Sequence, residues 1–161
     1  MTRIRPVEER DVPALYLAWQ ELRQYNAQQD GRIRPTPVSD VEFAAAVREL
    51  RARRMSASLV AEHEGEIAGF ITATIEQNQP DRLPERHATV GYLYVAPGYR
   101  RQGLGRQLVQ GIFAWARDQE GVSHVEMPVL ANDVSAEPFW RSLGFTPFIQ
   151  RLWAPLELPA S

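Results

Sequence analysis

The hydrophobic positions of the chain predict three long helices. Apolar residues recur at intervals of three and four over residues 12–25, over the segment that follows Ser39, and over residues 104–119. This spacing places them on one face of each helix, which a core would bury. A fourth, shorter helix is expected to end near Leu143, because Gly144 is typical of the position just beyond a helix C-terminus.

Runs rich in β-branched and aromatic residues predict strands between these helices. Five runs have this character: residues 2–7, 58–62, 67–75, 88–95 and 124–130. Glu64-Gly65 suits the turn of a hairpin between the second and third strands. A helix separates the fourth strand from the fifth, so these two are predicted to be parallel. Residues 145–156 would supply the closing strands of a mixed, mostly antiparallel sheet of six to seven strands.

The composition is typical of a single globular domain, and the order of the predicted strands and helices indicates the α/β (α+β) class. The apolar fraction of 44% is enough for one core, so we expect residues 1–161 to form one domain. The chain has no cysteine, which excludes disulfides and thiolate chemistry. Its apolar runs are too short to span a membrane, and a net charge of -2 offers no broad basic surface for nucleic acid. We therefore expect a soluble, cytoplasmic protein without a membrane or nucleic-acid partner.

The loop Arg100-Arg101-Gln102-Gly103-Leu104-Gly105 has the clearest chemistry, because it joins a predicted strand to a predicted helix. The N–H groups that begin a helix, the positive end of its dipole and the small side chains all suit a phosphate group. The arginines, with Arg106, would add charge-assisted hydrogen bonds. A tight turn with solvated arginines is the alternative. The dinucleotide motif would need a third glycine and the nucleotide P-loop a lysine, so neither fits.

Three segments resemble the GNAT superfamily of N-acetyltransferases. Tyr94-Val95-Ala96-Pro97-Gly98-Tyr99-Arg100 is similar to the family's strand end, and Arg100 to Gly105 to its Arg/Gln-x-x-Gly-x-Gly/Ala motif. Phe139-Trp140-Arg141-Ser142-Leu143-Gly144-Phe145 resembles a late signature, and the order of elements agrees over nearly the whole chain. The resemblance implies a GNAT-like fold whose parallel fourth and fifth strands splay apart to admit pantetheine. Gly91, as a bulge, and Pro128 are compatible with that splay.

The resemblance also implies a set of residues that bind acetyl-CoA as the acyl donor. Backbone groups of Leu93 and Val95 would meet the acyl carbonyl and pantetheine, and amides from Arg101 to Arg106 the pyrophosphate. Asn132 resembles a cofactor-contacting asparagine of the family, although Asp133 competes for its place and a helix cap explains either residue. The full set is Leu93, Tyr94, Val95, Arg100, Arg101, Gln102, Gly103, Leu104, Gly105, Arg106, Asn132, Phe139 and Trp140. No metal site is expected.

The sequence departs from the family at the positions of its usual acid and base. Trp140 stands where a tyrosine often acts as the general acid, and an indole N–H donates hydrogen bonds but is not a useful acid. Packing beside Phe139 and Phe145 is the alternative role for this tryptophan. Gly91 and Tyr92 stand where acidic residues often supply the base. The general acid and base are therefore unassigned.

Three candidates for proton transfer remain. Glu76 and His87 are expected on segments that border the cleft, where they would relay a proton through water. A solvated surface position is the alternative for both. Tyr94, on the fourth strand, is the third candidate.

The resemblance implies transfer of an acetyl group from acetyl-CoA to a primary amine of a small molecule or peptide. The amine would attack the thioester directly, with both substrates held in one cleft. Two alternatives stay open: a catalytically weak acyl-CoA-binding sensor or scaffold, and an acetyltransferase for protein N-termini or lysines. The aromatic stretch 148–153 suits a homodimer contact as readily as core packing.

Overall fold

The structure is a computed structural model that describes residues 1–160. Within them the strands are β1 (Thr2–Pro6), β2 (Ser56–His63), β3 (Glu66–Gln77), β4 (Arg86–Val95) and β5 (Val122–Glu126). The α-helices are α1 (Val12–Gln29), α2 (Asp40–Ala52), α3 (Leu104–Arg117) and α4 (Ala136–Ser142). Single 3-10 turns lie at Glu9–Asp11 and Pro97–Tyr99. None of the helices in this part of the chain is both long and apolar enough to cross a membrane.

The strands form one sheet in the order β1-β2-β3-β4-β5. Neighbours are antiparallel from β1 to β4, and β4 and β5 are parallel. The β2–β3 hairpin turns at Glu64 and Gly65, whose φ values of 50° and 85° are the left-handed pair that a type I′ turn needs. The mixed sheet, its parallel last pair and the hairpin turn are therefore confirmed.

Helices cover both faces of the sheet and bury two apolar clusters. On one face α3 buries Leu108 in the same cluster as Ile71 of β3. On the other, α2 and α1 bury Phe43 and Leu15 in a cluster that includes Phe70. Phe70 and Ile71 are adjacent in sequence, and they serve opposite clusters because side chains alternate along a strand.

The helix starts follow their sequence signals more closely than the helix ends do. Ser39 caps α2 as predicted: Ser39 Oγ accepts from the Glu42 amide at 3.1 Å, and a Glu42 carboxylate oxygen accepts from the Ser39 amide at 2.8 Å. The end of α1 lies beyond the predicted residue 25, at Gln29. Residues 26–29 contain neither glycine nor proline, so nothing stops the helix before Asp30 and Gly31.

Two predictions about the C-terminal third are wrong. Strand β5 ends at Glu126 and not at residue 130, because Pro128 cannot donate to a ladder. Residues 145–156 form no strand, so the sheet of the described chain has five strands and not six or seven. Pro147 and Pro155 interrupt that segment, and its large apolar side chains are exposed: Phe148, Ile149, Leu152, Trp153 and Leu156.

A buried ion pair fixes β1 to the turn before α1. Arg5 is 7% exposed and donates to both carboxylate oxygens of Asp11 at 2.8 Å, and it also contacts Glu62 of β2. Burial acts to raise the pKa of Asp11, but hydrogen bonds from Arg5 and the Glu8 amide outweigh it and hold that pKa below its ordinary value. The pair therefore depends on Asp11 staying ionised.

Candidate functional site

The parallel pair β4–β5 comes apart half-way along β4. Pairing begins at Arg86 with Val122 and reaches Thr89 with Glu126, where β5 ends. Strand β4 continues to Val95, so within residues 1–160 its second half has no strand beside it on that edge. The sheet thus opens between the two strands for which the resemblance implies a splay.

Backbone polar groups of β4 line this opening. The Ala96 amide donates to Ala68 O of β3 at 2.8 Å, so it points away from the opening. Successive peptide groups of a strand point in opposite directions, and the backbone groups of Val95 and Leu93 therefore face the opening. One of them is engaged, because Arg100 Nε donates to Val95 O at 2.9 Å.

Gly91 lies at a β-bulge in the middle of β4. Tyr92 is opposite Thr72 and Val90 is opposite Ala73, which leaves Gly91 as an extra residue. A Cβ on Gly91 would lie 2.9 Å from Thr72 Oγ1, the atom that accepts from the Tyr92 amide at 3.1 Å. The bulge expected at this glycine is present, at the point where β4 loses its partner.

The loop between β4 and α3 is built for close approach of a ligand to its backbone. Arg101 and Gly103 have φ values of 62° and 81°, in the left-handed region that non-glycine residues rarely adopt. The Gln107 amide donates to Gly103 O at 3.1 Å and makes the first hydrogen bond of α3. The amides of residues 104–106 precede that bond and have no acceptor within the helix. Such amides, at the positive end of the helix dipole, suit an anion.

The two glycines of the loop have different surroundings. A Cβ on Gly103 would meet no described atom within 4 Å, whereas one on Gly105 would lie 3.1 Å from Phe139 Cζ. Phe139 of α4 therefore packs against the first turn of α3. Trp140 is 5% exposed and packs edge-on against Phe139 and Phe145, with ring centroids 5.1 and 5.0 Å apart. Its surroundings match the packing role given as the alternative, and cofactor contact by Trp140 stays a prediction.

The amides at the start of α4 donate to the side chain of Asp133 and not to that of Asn132. Asp133 Oδ1 accepts from the amides of Ser135 and Ala136, both at 3.2 Å, and from the Tyr25 hydroxyl at 3.0 Å. Asn132 is exposed, and its Nδ2 donates to Asp30 at the end of α1 at 3.2 Å. Asp133 is thus engaged with the helix, and the cofactor contact of Asn132 stays a prediction.

Tyr94 lies apart from the other two candidates for proton transfer. Its side chain is 8% exposed under α1, and its hydroxyl donates to Glu21. Burial raises the pKa of Tyr94 to about 12, and the hydrogen bond to Glu21 adds to the effect. A phenol with so high a pKa is a poor proton donor near neutral pH.

Glu76 of β3 lies opposite His87 at the start of β4, and His87 lines a pocket of about 280 Å³. His87 Nε2 lies 3.7 Å from Glu76 Oε2 and 3.7 Å from Glu126 Oε2, and its Nδ1 lies 2.6 Å from Asn78 Oδ1. The His87 side chain is only 10% exposed. The solvated position weighed as an alternative for His87 is therefore wrong, because three polar side chains surround its ring.

Sequence reasoning missed three residues of this face. His124 Nε2 lies 2.8 Å from Glu126 Oε2, and the two alternate along β5, so the pattern His-x-Glu on a strand parallel to β4 was a usable signal. Thr89 precedes the opening on the same face as His87. Its Oγ1 is buried and has no hydrogen-bond partner in the part of the chain that the structure describes.

Comparison with known proteins decides the family. The model of the acetyltransferase (GNAT) family matches residues 12–145. The chain belongs to the GNAT acetyltransferase family. The match takes in β4, the loop and α3, and so covers the motifs from which the resemblance was first inferred.

Two curated relatives of this GNAT chain are acetyltransferases. Human N-acetyltransferase 8 is 34% identical over 92 residues, which are 57% of the chain and 39% of the relative. L-2,4-diaminobutyric acid acetyltransferase of Streptomyces avermitilis is 30% identical over 94 residues, 58% of the chain and 47% of that enzyme. The chain thus spans less than half the length of the curated relatives it matches.

A solved structure with the same fold contains CoA. It is the aminoglycoside N-acetyltransferase AAC(6')-Iy in complex with CoA, with a TM-score of 0.74 and 16% identity over 98% of this chain and 96% of that chain. At that identity the likeness concerns the fold alone. It supports the fold described above for residues 1–160.

Proposed function

We propose that the protein is an acetyl-CoA-dependent N-acetyltransferase that acetylates a primary amine of a small molecule or peptide in the cytoplasm. The observation that carries the proposal is the continuity of two surfaces. The backbone groups of Leu93 and Val95 face the β4–β5 opening. The amides of residues 104–106 lie where the loop that follows β4 enters α3. Family membership and the CoA complex of a protein with this fold support it.

The donor would lie along this continuous surface. The amides of residues 104–106 and the guanidinium groups of Arg101 and Arg106 would hold the pyrophosphate. The backbone of Leu93 and Val95 would bind pantetheine and the acyl carbonyl. Since Arg100 Nε already bonds to Val95 O, Arg100 would act by holding the end of β4 in position.

The acceptor amine would approach on the sheet face that carries His87, Thr89 and Tyr92. Its nitrogen attacks the thioester carbonyl carbon, the new C–N bond forms, the C–S bond breaks and the thiolate of CoA leaves. The proton lost by the attacking nitrogen must reach a base, and His87, whose Nε2 lies 3.7 Å from carboxylate oxygens of both Glu76 and Glu126, is the candidate that would take it through water. Alignment of the two substrates in one cleft lowers the entropic part of the barrier.

Calorimetry with acetyl-CoA and a CoA-release assay against a panel of amines test the proposal. We expect saturable binding of acetyl-CoA and CoA release with at least one amine. Arg101→Ala should weaken binding of acetyl-CoA, while Arg151→Ala, an exposed arginine outside the loop, should not. Absence of any acetyl-CoA binding in the folded protein would refute the proposal.

A catalytically weak acyl-CoA sensor is a second candidate, favoured by the position of Trp140. This residue takes the place of the family's usual acid and is buried in the core, and the Tyr94 hydroxyl is held by Glu21. Loss of a general acid lowers a rate by about 10²–10⁴, so slow transfer is compatible with the enzyme proposal. Tight binding of acetyl-CoA without CoA release on any amine would favour the sensor.

A further inference from the structure

The pocket at the start of β4 gathers two imidazoles and a carboxylate around one point. The ligand atoms of His87, His124 and Glu126 all lie within 4.8 Å of one another. His124 Nε2 is 2.8 Å and His87 Nε2 is 3.7 Å from Glu126 Oε2, and Glu76 Oε2 lies 3.7 Å from His87 Nε2. Donor binding by the β4–α3 loop makes no use of this cluster.

Asn78 fixes which nitrogen of His87 faces the cluster. Asn78 Nδ2 donates to Pro84 O at 2.7 Å, so its Oδ1 is the atom turned towards His87 Nδ1, at 2.6 Å. A carbonyl oxygen only accepts, so a neutral His87 ring carries its proton on Nδ1 and its lone pair on Nε2. A histidine held in this way by a neighbouring oxygen is the usual arrangement behind a metal ligand.

We propose that His87 Nε2, His124 Nε2 and the Glu126 carboxylate bind one divalent transition-metal ion, with Zn²⁺ as the best match. Nitrogen and carboxylate donors suit zinc, and three protein ligands leave a fourth position for water, to which Glu76 would offer an acceptor. Tetrahedral zinc places its ligand atoms about 3.3 Å apart, so the distances of 2.8 and 3.7 Å from Glu126 Oε2 to His124 Nε2 and His87 Nε2 each need a shift below 1 Å.

One movement is required, and the structure allows it. The His87 and His124 rings are stacked, with centroids 5.4 Å apart and 16° between their planes, so their lone pairs do not yet converge. His87 is held by Asn78, whereas His124 is 37% exposed and its ring can turn about its own side-chain bonds. Binding of the ion would replace the hydrogen bond between His124 and Glu126 with one coordinate bond from each residue.

The metal site goes beyond the proposed acetyl transfer and competes with one part of it. A metal ion on His87 Nε2 occupies the lone pair that would accept a proton from the amine. Zinc should therefore slow acetyl transfer if His87 is the base. The site itself is tested without acetyl-CoA or an amine, so its failure and that of the enzyme proposal are distinguishable.

The test is calorimetric titration of the chelator-treated protein with ZnCl₂, together with the visible absorption of Co²⁺ bound in its place. We expect about one ion per chain and a tetrahedral cobalt spectrum. His124→Ala and Glu126→Gln should each weaken binding by at least about 10-fold. The chain has three histidines, and His63→Ala is the matched control because that residue lies on β2 beside Thr2.

Thermal unfolding in chelator establishes that each variant is folded before its metal affinity is compared. Undiminished zinc binding in His124→Ala and Glu126→Gln overturns the proposal, as does an equal loss in His63→Ala. Absence of zinc and cobalt binding in the unaltered protein overturns it as well. The cluster would then be a set of histidine–carboxylate hydrogen bonds and nothing more.

Discussion

Phe139 of α4 lies so close to Gly105 of α3 that a Cβ on Gly105 would approach Phe139 Cζ to 3.1 Å. Carbon atoms in optimal contact are about 3.5–4.0 Å apart, so an alanine fits only if the ring moves. The contact joins α4 to the loop proposed to hold pyrophosphate. Gly105 is therefore required by packing, whereas Gly103 is required by its left-handed backbone.

We expect Gly105→Ala to destabilise the protein by about 1 kcal/mol, because the cost of extra volume in a packed region, about 1–3 kcal/mol, exceeds the gain of about 1 kcal/mol that alanine brings to a helix. Urea unfolding measures the loss. Phe139→Leu introduced together with it should recover part of the stability, because the shorter side chain makes room for the methyl group. Gly98→Ala is the matched control, since a Cβ there meets no described atom within 4 Å and its φ is not positive. Equal losses at the two glycines would contradict the packing explanation.

Tyr94 should keep its proton to higher pH than an exposed tyrosine. Burial, with the hydrogen bond to Glu21, raises the pKa of Tyr94 to about 12. A pKa that is higher in the folded state than in the unfolded state stabilises the fold below the unfolded value, and this contribution is lost as the pH rises towards 12. Phenolate absorbance during an alkaline titration should contain a late component that Tyr94→Phe removes.

Glu21→Gln is the companion variant for this titration. It removes the negative charge beside the phenol, so the late component should move to lower pH while burial keeps it above that of an ordinary tyrosine. Tyr16, whose hydroxyl donates to Val38 O, provides a control in Tyr16→Phe, which should leave the late component in place. A late component that survives Tyr94→Phe would show that another tyrosine is responsible.

Local signals in the sequence predicted features in several parts of the fold. Ser39, Gly91 and the Glu64-Gly65 turn each act through bonds to near neighbours or through backbone conformation, and the structure has all three features. Pro128 is a further local signal, but the β-propensity of its neighbours extends the predicted strand beyond the point where its missing N–H ends the ladder. The strand from residue 124 was therefore predicted four residues too long, since β5 ends at Glu126 and not at residue 130.

The contacts of the acceptor face join residues that are far apart in the sequence, so the sequence pattern did not predict them. His87 was selected as a candidate, yet its contact with Glu126 depends on the β4–β5 register, which a bulge-like shift between Arg86 and Ala88 alters. The contact of Tyr94 with Glu21 spans two distant elements and has no local pattern. Such contacts follow from how helices pack on the sheet, and hydrophobic spacing alone does not fix that packing.

The exposed C-terminal segment 148–153 predicts self-association. Phe148, Ile149, Leu152 and Trp153 are between 64% and 82% exposed, and a second copy of the chain would remove this apolar surface from water. Leu152→Glu should shift the sedimentation profile towards the monomer. Leu17→Glu, which changes a leucine of α1 that is 67% exposed, is the matched control and should leave the profile unchanged. A monomer at every concentration of the unaltered protein would contradict the prediction.

Asp11→Ala should cost about 3 kcal/mol, near the lower end for breaking a buried ion pair, because Arg5 keeps Glu62 as a partner. Replacing both partners, as Arg5→Met with Asp11→Leu, should cost less, since no unpaired charge is then buried.

The folded state holds the pKa of Asp11 below its ordinary value. The contribution of Asp11 to stability is therefore complete above its pKa in the unfolded state, and it is lost as the pH falls through its pKa in the folded state. Urea unfolding at decreasing pH should therefore show that the free energy of unfolding falls more steeply for the unaltered protein than for the double variant. Parallel plots of this free energy against pH would mean that Asp11 does not couple folding to pH.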